Sequence, residues 1–219
     1  MAYRNKEEYM IKYSPDIAII PECDSIDEQT NKRMWFGENK KKGLGIFSYS
    51  NYEFEMSQKY NPSFRYVIPI KVTGQINFTI LAVWAMNEPI NVKQRYIGQV
   101  FSAIKYYKEL LDQPIIIIGD FNWNVIWDMK LDYPLSGTFS ELIKLLNNKN
   151  IKSAYHTYHR EPFGKESTPT LYMYHKKQKP YHIDYCFASS NFKIKNVEIG
   201  NFSDWIKTSD HMPLIVDFE

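Results

Sequence analysis

Apolar residues along this chain fall mostly in short runs or in strict alternation, and only three stretches repeat at helical spacing. The first helix is predicted over residues 3–13, with Tyr9, Met10 and Tyr13 on one face, and Ser14-Pro15 ends it because a residue before proline avoids the α region. The second covers 94–111, where Ile97, Val100, Phe101, Ile104 and Leu111 recur at helical intervals. The third opens on Thr138-Phe139-Ser140-Glu141, a capping box, and fades at Asn147-Asn148. Strands are predicted at 16–24, 33–36, 44–48, 52–57, 65–72, 75–84, 114–118, 170–174, 181–188, 193–199 and 212–218, with Thr73-Gly74 as a hairpin turn. Four consecutive isoleucines, Ile115 to Ile118, read as a strand buried on both faces. Many strands, few helices and hairpin turns in both halves predict an α/β fold in which two packed mixed sheets carry helices outside, a four-layer sandwich.

Length changes this picture little: 219 residues fit one domain, 1–219, with no repeat or linker to divide it. Two cysteines, Cys23 and Cys186, lie far apart without metal-site spacing, which argues against a disulfide scaffold or a structural zinc site and for a reducing compartment. No apolar run approaches a membrane span and no signal-peptide core opens the chain, so a cytoplasmic protein is expected. A formal charge of +2 neither demands nor excludes a polyanionic partner, so any nucleic-acid argument rests on local patches.

The chemistry sits where apolar runs end. Gly119 breaks the isoleucine strand and Asp120 and Asn122 follow, two residues apart and so on one face if the chain stays extended. Glu22 follows another apolar run. In Tyr181-His182-Ile183-Asp184-Tyr185 alternation puts His182 and Asp184 on one strand face, and Ser209-Asp210-His211 precedes the last strand. Each piece alone reads equally well as a polar turn. Strand ends meeting at one edge of a sandwich would gather them into one site.

Taken together and in this order, Ile20-Pro21-Glu22, Gly119-Asp120-Phe121-Asn122, His182-Ile183-Asp184-Tyr185 and Ser209-Asp210-His211-Met212-Pro213-Leu214 resemble the exonuclease–endonuclease–phosphatase superfamily, the DNase-like fold. The resemblance runs from about residue 16 to the C-terminus and implies a metal-dependent phosphodiesterase. It implies that Glu22 is the principal Mg²⁺ ligand (Mn²⁺ a possible substitute), with Asp210 beside the metal. Asp120 would orient or deprotonate the attacking water, Asn122 would hold that water or the phosphate, and Asp184 would fix the imidazole of His211 against the scissile phosphate. Oxygen donors of this kind suit a hard cation.

Two departures matter. Family members usually begin with a central strand bearing Trp-Asn, whose asparagine helps bind the metal; the expectation is that either the true start lies upstream of Met1 or this first central strand and its oxygen ligand are missing. Trp84 stands where the family often has a His or Tyr reaching the phosphate; it either lines the cleft or packs in the core, and Asn87 is placed to supply the polar contact instead. Lys40-Lys41-Lys42, Lys176-Lys177 with Lys179, and Lys193 with Lys195 are candidate phosphate contacts, and Trp123, like His182, is a candidate substrate contact. The leading expectation is a nuclease acting on DNA or RNA. A phosphatase or sphingomyelinase-like phosphodiesterase on a phospholipid or inositol phosphate, and a catalytically impaired binding protein on the same scaffold, are the alternatives. Protein partners are not indicated.

Overall fold

The computed structural model describes residues 7–130 and 133–219. Helix α1 (Glu7–Ile11) leads into β1 (Ile17–Cys23), followed by β2 (Arg33–Asn39), β3 (Lys42–Ser48), β4 (Glu53–Met56), β5 (Val67–Thr73) and β6 (Phe78–Trp84). Helix α2 (Ile97–Tyr106) crosses over to β7 (Ile115–Asp120). Helix α3 (Phe139–Asn147), β8 (Ile151–Ser153) and α4 (Ala154–His159) come next, and then a short hairpin, β9 (Leu171–Tyr172) and β10 (Pro180–Tyr181). Strands β11 (Asp184–Ser189) and β12 (Ile194–Ile199), helix α5 (Phe202–Trp205) and β13 (Leu214–Phe218) complete the chain.

Six strands form one mixed sheet in the order β4-β5-β6-β7-β11-β8, antiparallel throughout except where the α2 crossover sets β7 parallel to β6. The isoleucine run shows how period-two alternation builds the layers. Ile115 and Ile117 join Val67, Leu81, Val83 and Phe187 under α2 and α3. Ile116 and Ile118 point the other way, among Leu44, Ile46, Ile68 and Ile80, where the second layer of strands packs. On the far side of that layer Met10 of α1 packs with Ile20, Cys23 and Phe47, and the α5 residue Trp205 stacks against Tyr13. Helices, sheet, sheet, helices: the four-layer sandwich is the observed architecture.

The second layer differs from the expected mixed sheet. It consists of two antiparallel pieces, β1-β3-β2 and β12-β13. Strand β1 lies over β6 and β7, and β13 over β11. Among the described residues, β1 pairs only with β3 and β13 only with β12, so each keeps one edge without a strand neighbour. Between them Ile118, inside the central strand β7, is only partly buried. Among the described residues the second layer is therefore split into two pieces.

Three further expectations are corrected. The helix over 94–111 is shorter, because Tyr96 takes a left-handed φ of 46° and the chain tightens into 3₁₀ turns on either side, Val92–Gln94 and Lys108–Asp112. The strand over 181–188 breaks at His182-Ile183, where the chain leaves its pairing with β9 and joins the six-stranded sheet. The short elements β8, α4 and α5 carried too few periodic residues to be read. The predicted first helix is present over Glu7–Ile11, and residues 1–6 lie outside the described residues.

Candidate active site

Strand register brings the central acids together. Asp120 ends β7 and Asp184 begins β11, and the two are direct partners in the antiparallel ladder. Gly119 makes the close approach before them possible. Its φ is 141°, and a Cβ there would sit 1.9 Å from the carbonyl oxygen of Val83 on β6, so no side chain fits.

His211 arrives from the other end of the chain. Leu171 bridges to it, the Tyr172 N–H donates to the Asp210 carbonyl at 2.8 Å, and the Met212 N–H donates to the Thr170 carbonyl at 2.7 Å. This pairing, together with a 2.9 Å bond from His211 Nδ1 to Asp184 Oδ2, fixes the ring. Ligating atoms of Asp120, Asp184 and His211 lie within 4.8 Å of one another.

The electrostatics follow from burial and crowding. Asp120 is 3% exposed. Burial, and next the charge of Asp184, push its carboxyl well above the usual carboxylate range, against the opposing pull of His211. For His211 burial works downward, but the charge and hydrogen bond of Asp184, with the charges of Asp120 and Asp210, prevail and hold the imidazole protonated beyond its ordinary range.

Asn122 reaches Asp120 by a turn, not along an extended strand. Its φ is 48°, its backbone N–H donates to Asp120 Oδ1 at 2.7 Å, and its Nδ2 donates to Asp120 Oδ2 at 3.0 Å and to the Ala85 carbonyl at 2.9 Å. Glu22 also has a left-handed backbone, φ 55°, at a bulge in the β1–β3 pairing. Backbone strain of this kind concentrates at functional sites. The Glu22 carboxylate is half-exposed, accepts a 2.9 Å ion pair from Lys42, and lies near enough for its charge to act on Asp120.

The structure therefore brings together Asp120, Asn122, Asp184 and His211, with Glu22 and Asp210 within electrostatic reach of Asp120 and His211 respectively. Three of the four expected substrate contacts, Trp84, Trp123 and His182, are buried. Trp84, beside Asp120 in the ladder, is 2% exposed and packs on Tyr66 with ring centroids 4.7 Å apart. Trp123 is buried, donating its indole N–H to Asp128. His182 shares no face with Asp184: the break in the strand turns it inward against Tyr155, where Nδ1 donates to the Thr168 carbonyl at 2.9 Å. Its Nε2 has no hydrogen-bond partner among the described residues, and burial lowers its pKa. Asn87 is exposed on the loop after β6.

Some contributors carried no sequence signal. Thr170 Oγ1 accepts the backbone N–H groups of both Ile183 and Asp184 at 3.0 Å, and Asn124 donates to the His182 carbonyl at 2.9 Å. Only the fold reveals that these distant polar residues converge behind Asp184.

Comparison with solved structures shows the same fold. An AP endonuclease from Archaeoglobus fulgidus aligns with a TM-score of 0.70 at 15% identity, over 97% of this chain and 92% of its own. The 3′ phosphatase NExo from Neisseria, bound to a product DNA hairpin, aligns at 0.65 and 15% identity over 99% and 93%. The catalytic domain of Xenopus laevis APE2 aligns at 0.60 and 13% identity over 99% and 88%. No curated protein matches the sequence. A profile of one family matches residues 7–211, from α1 to the site imidazole, and with it the site geometry acquires a lineage: the chain belongs to the Endonuclease/Exonuclease/phosphatase family.

Proposed function

We propose that this protein is a divalent-cation-dependent phosphodiesterase whose substrate is a DNA or RNA backbone. The observation that carries the reading is the gathering of Asp120, Asp184 and His211 within 4.8 Å at the ends of β7, β11 and the segment before β13. Family membership supports hydrolysis of a phosphoester, and two structural neighbours, an AP endonuclease and a 3′ phosphatase bound to a DNA hairpin, support nucleic acid as the substrate class.

The donor set fits a hard cation. Glu22, Asp120, Asp184 and Asp210 offer oxygen atoms only, and a cation beside Asp120 would oppose the burial, and next the charge of Asp184, that raise its carboxyl. Glu22, with Asp210, would hold Mg²⁺ or Mn²⁺ in place of the Lys42 ammonium. When bound, the cation supplies positive charge to the phosphoryl oxygens.

The side chains do the rest. Asp120 as carboxylate takes the proton of a water held by Asn122, the water oxygen bonds to phosphorus, and the bond to the leaving oxygen breaks in line. Asp184 keeps His211 charged and oriented, so the imidazolium stabilises charge on the phosphoryl group. Lys40, Lys41 and Lys42 form the β2–β3 turn beside Glu22, and Lys176, Lys177 and Lys179 lie at the tip of the hairpin whose base bridges to His211. Both clusters are placed to meet a phosphate backbone. Among the described residues no helix is long and apolar enough to cross a membrane.

Cleavage of supercoiled plasmid, single-stranded oligonucleotides and a soluble phosphodiester, with Mg²⁺, Mn²⁺ or chelator, tests the reading. Cleavage should require the cation, and Asp120→Asn should lower kcat by about 10²–10⁴-fold. Turnover that survives chelation, or is unchanged in Asp120→Asn, removes the assignment.

A further inference from the structure

Behind Asp184 lies a second polar cluster that touches none of the groups assigned to hydrolysis. Glu166 is buried in the loop after α4. Its Oε1 accepts hydrogen bonds from His156 Nε2 at 3.0 Å and from the Gly164 N–H at 2.9 Å, while Oε2 faces Asn124 Nδ2 at 3.3 Å. The side chains of His156 and Glu166 are 7% and 4% exposed. Ser153 Oγ lies 2.7 Å from the other ring nitrogen of His156.

The cluster converges on the two residues where the chain leaves β10 and has not yet entered β11. The His182 carbonyl accepts from Asn124 Nδ2 at 2.9 Å and from the Tyr185 hydroxyl at 2.8 Å. Asn124 is itself fixed, because its Oδ1 accepts the Ile126 N–H at 3.1 Å. Together with Thr170 Oγ1 on the Ile183 and Asp184 amides, these bonds hold the backbone that presents the Asp184 carboxylate.

A buried carboxylate held by hydrogen bonds is a poor device for stability, since apolar residues of similar volume often serve as well or better. It is a good device for fixing one geometry, because any shift leaves a buried polar group unpaired. We propose that Asn124, Glu166 and His156 form a positioning unit that sets Asp184, and through it the His211 ring, for phosphodiester hydrolysis. None of the three touches the reacting atoms. The inference rests on the phosphodiesterase reading for its catalytic half, but not for its structural half.

Two measurements on Glu166→Gln, which keeps the shape and removes the charge, decide it. Amide hydrogen exchange, read without substrate, should quicken by about tenfold or more at Ile183 and Asp184 while Ile116 and Ile117 in β7 exchange as in the wild type. With oligonucleotide and Mg²⁺, kcat should fall by about tenfold with KM within about twofold. His156→Gln, which still offers an amide N–H to Glu166, should recover most of both. Should Glu166→Gln fail to fold, Asn124→Ser carries the same expectations.

Unchanged exchange at Ile183 and Asp184 overturns the proposal. So does quickening spread evenly over the sheet, which marks a merely structural role, or local quickening with an unaltered kcat. A wild-type protein that hydrolyses nothing sinks the phosphodiesterase reading and the catalytic half with it, while the exchange data alone still decide whether the cluster holds Asp184.

Discussion

Asp120, His211 and Glu166 share one physical trait: the ionisation of each is set by what surrounds it. Glu166 illustrates this. Burial works against its charge, but the hydrogen bonds from His156 and Gly164 outweigh it and hold the carboxyl down at about 2. A folded-state value below the ordinary 4.5 means that the group adds stability above pH 4.5, and that the gain is lost as pH falls toward 2. Thermal melts across that window should therefore show the wild type losing up to about 3 kcal/mol more than Glu166→Gln. Parallel acid limbs for the two proteins would show that this carboxylate is not the responsible group. At this scale the sequence was legible where a side chain bordered an apolar run, after it as with Glu22 and Asp120 or before it as with His211. It misled where alternation was assumed to continue. His182 was read onto the face of Asp184, but a strand that changes sheets between two residues does not preserve facing, and no local pattern marks such a change. Trp84 and Trp123 are aromatic for the core, and aromatic residues look alike in sequence whether they stack on a base or on Tyr66.

At the scale of elements, the β6–β7–β11 trio is the device that makes the site. The parallel β6–β7 contact is closest at Val83 and Gly119, and the next register position pairs Trp84 with Asp120. Gly119→Ala would force Cβ onto the Val83 carbonyl and push Asp120 out of line. A destabilisation on the order of 3 kcal/mol is expected by denaturant titration, from steric clash and an unsuitable backbone conformation combined. An alanine variant as stable as the wild type would show that the strands can part without cost. The capping box before α3 was read from four residues and is present as read, with Thr138 Oγ1 accepting the Glu141 N–H and the Glu141 carboxylate accepting the Thr138 N–H. Local chemistry of that kind is visible in sequence because both partners lie within one turn. Neither the late start nor the early end of α2 was visible, because the first follows from the positive φ at Tyr96 and the second from tertiary placement of Tyr107, whose hydroxyl accepts the Asn61 N–H at 3.1 Å.

For the whole molecule, near-neutral net charge conceals an uneven distribution. The Lys40–Lys42 turn and the Lys176, Lys177, Lys179 hairpin tip both belong to segments that also carry or contact site residues. If the substrate is nucleic acid, replacing Lys176, Lys177 and Lys179 with glutamine should weaken oligonucleotide binding at low salt. It should also flatten the dependence of log Kd on log salt by about 2. An unaltered slope would place the phosphate backbone elsewhere. The layered architecture was legible from strand count and alternation, whereas the split of the second layer into two pieces depends on pairing between distant segments. What no pattern showed is its mechanical meaning. The ribbon of β12 and β13 pairs with no other strand among the described residues, and His211 lies just before it. Mild denaturant should peel that ribbon away as a unit before the six-stranded sheet yields. Hydrolysis would then vanish at a lower urea concentration than the circular dichroism of the strands, and the distance between the two midpoints would measure how loosely the imidazole is moored.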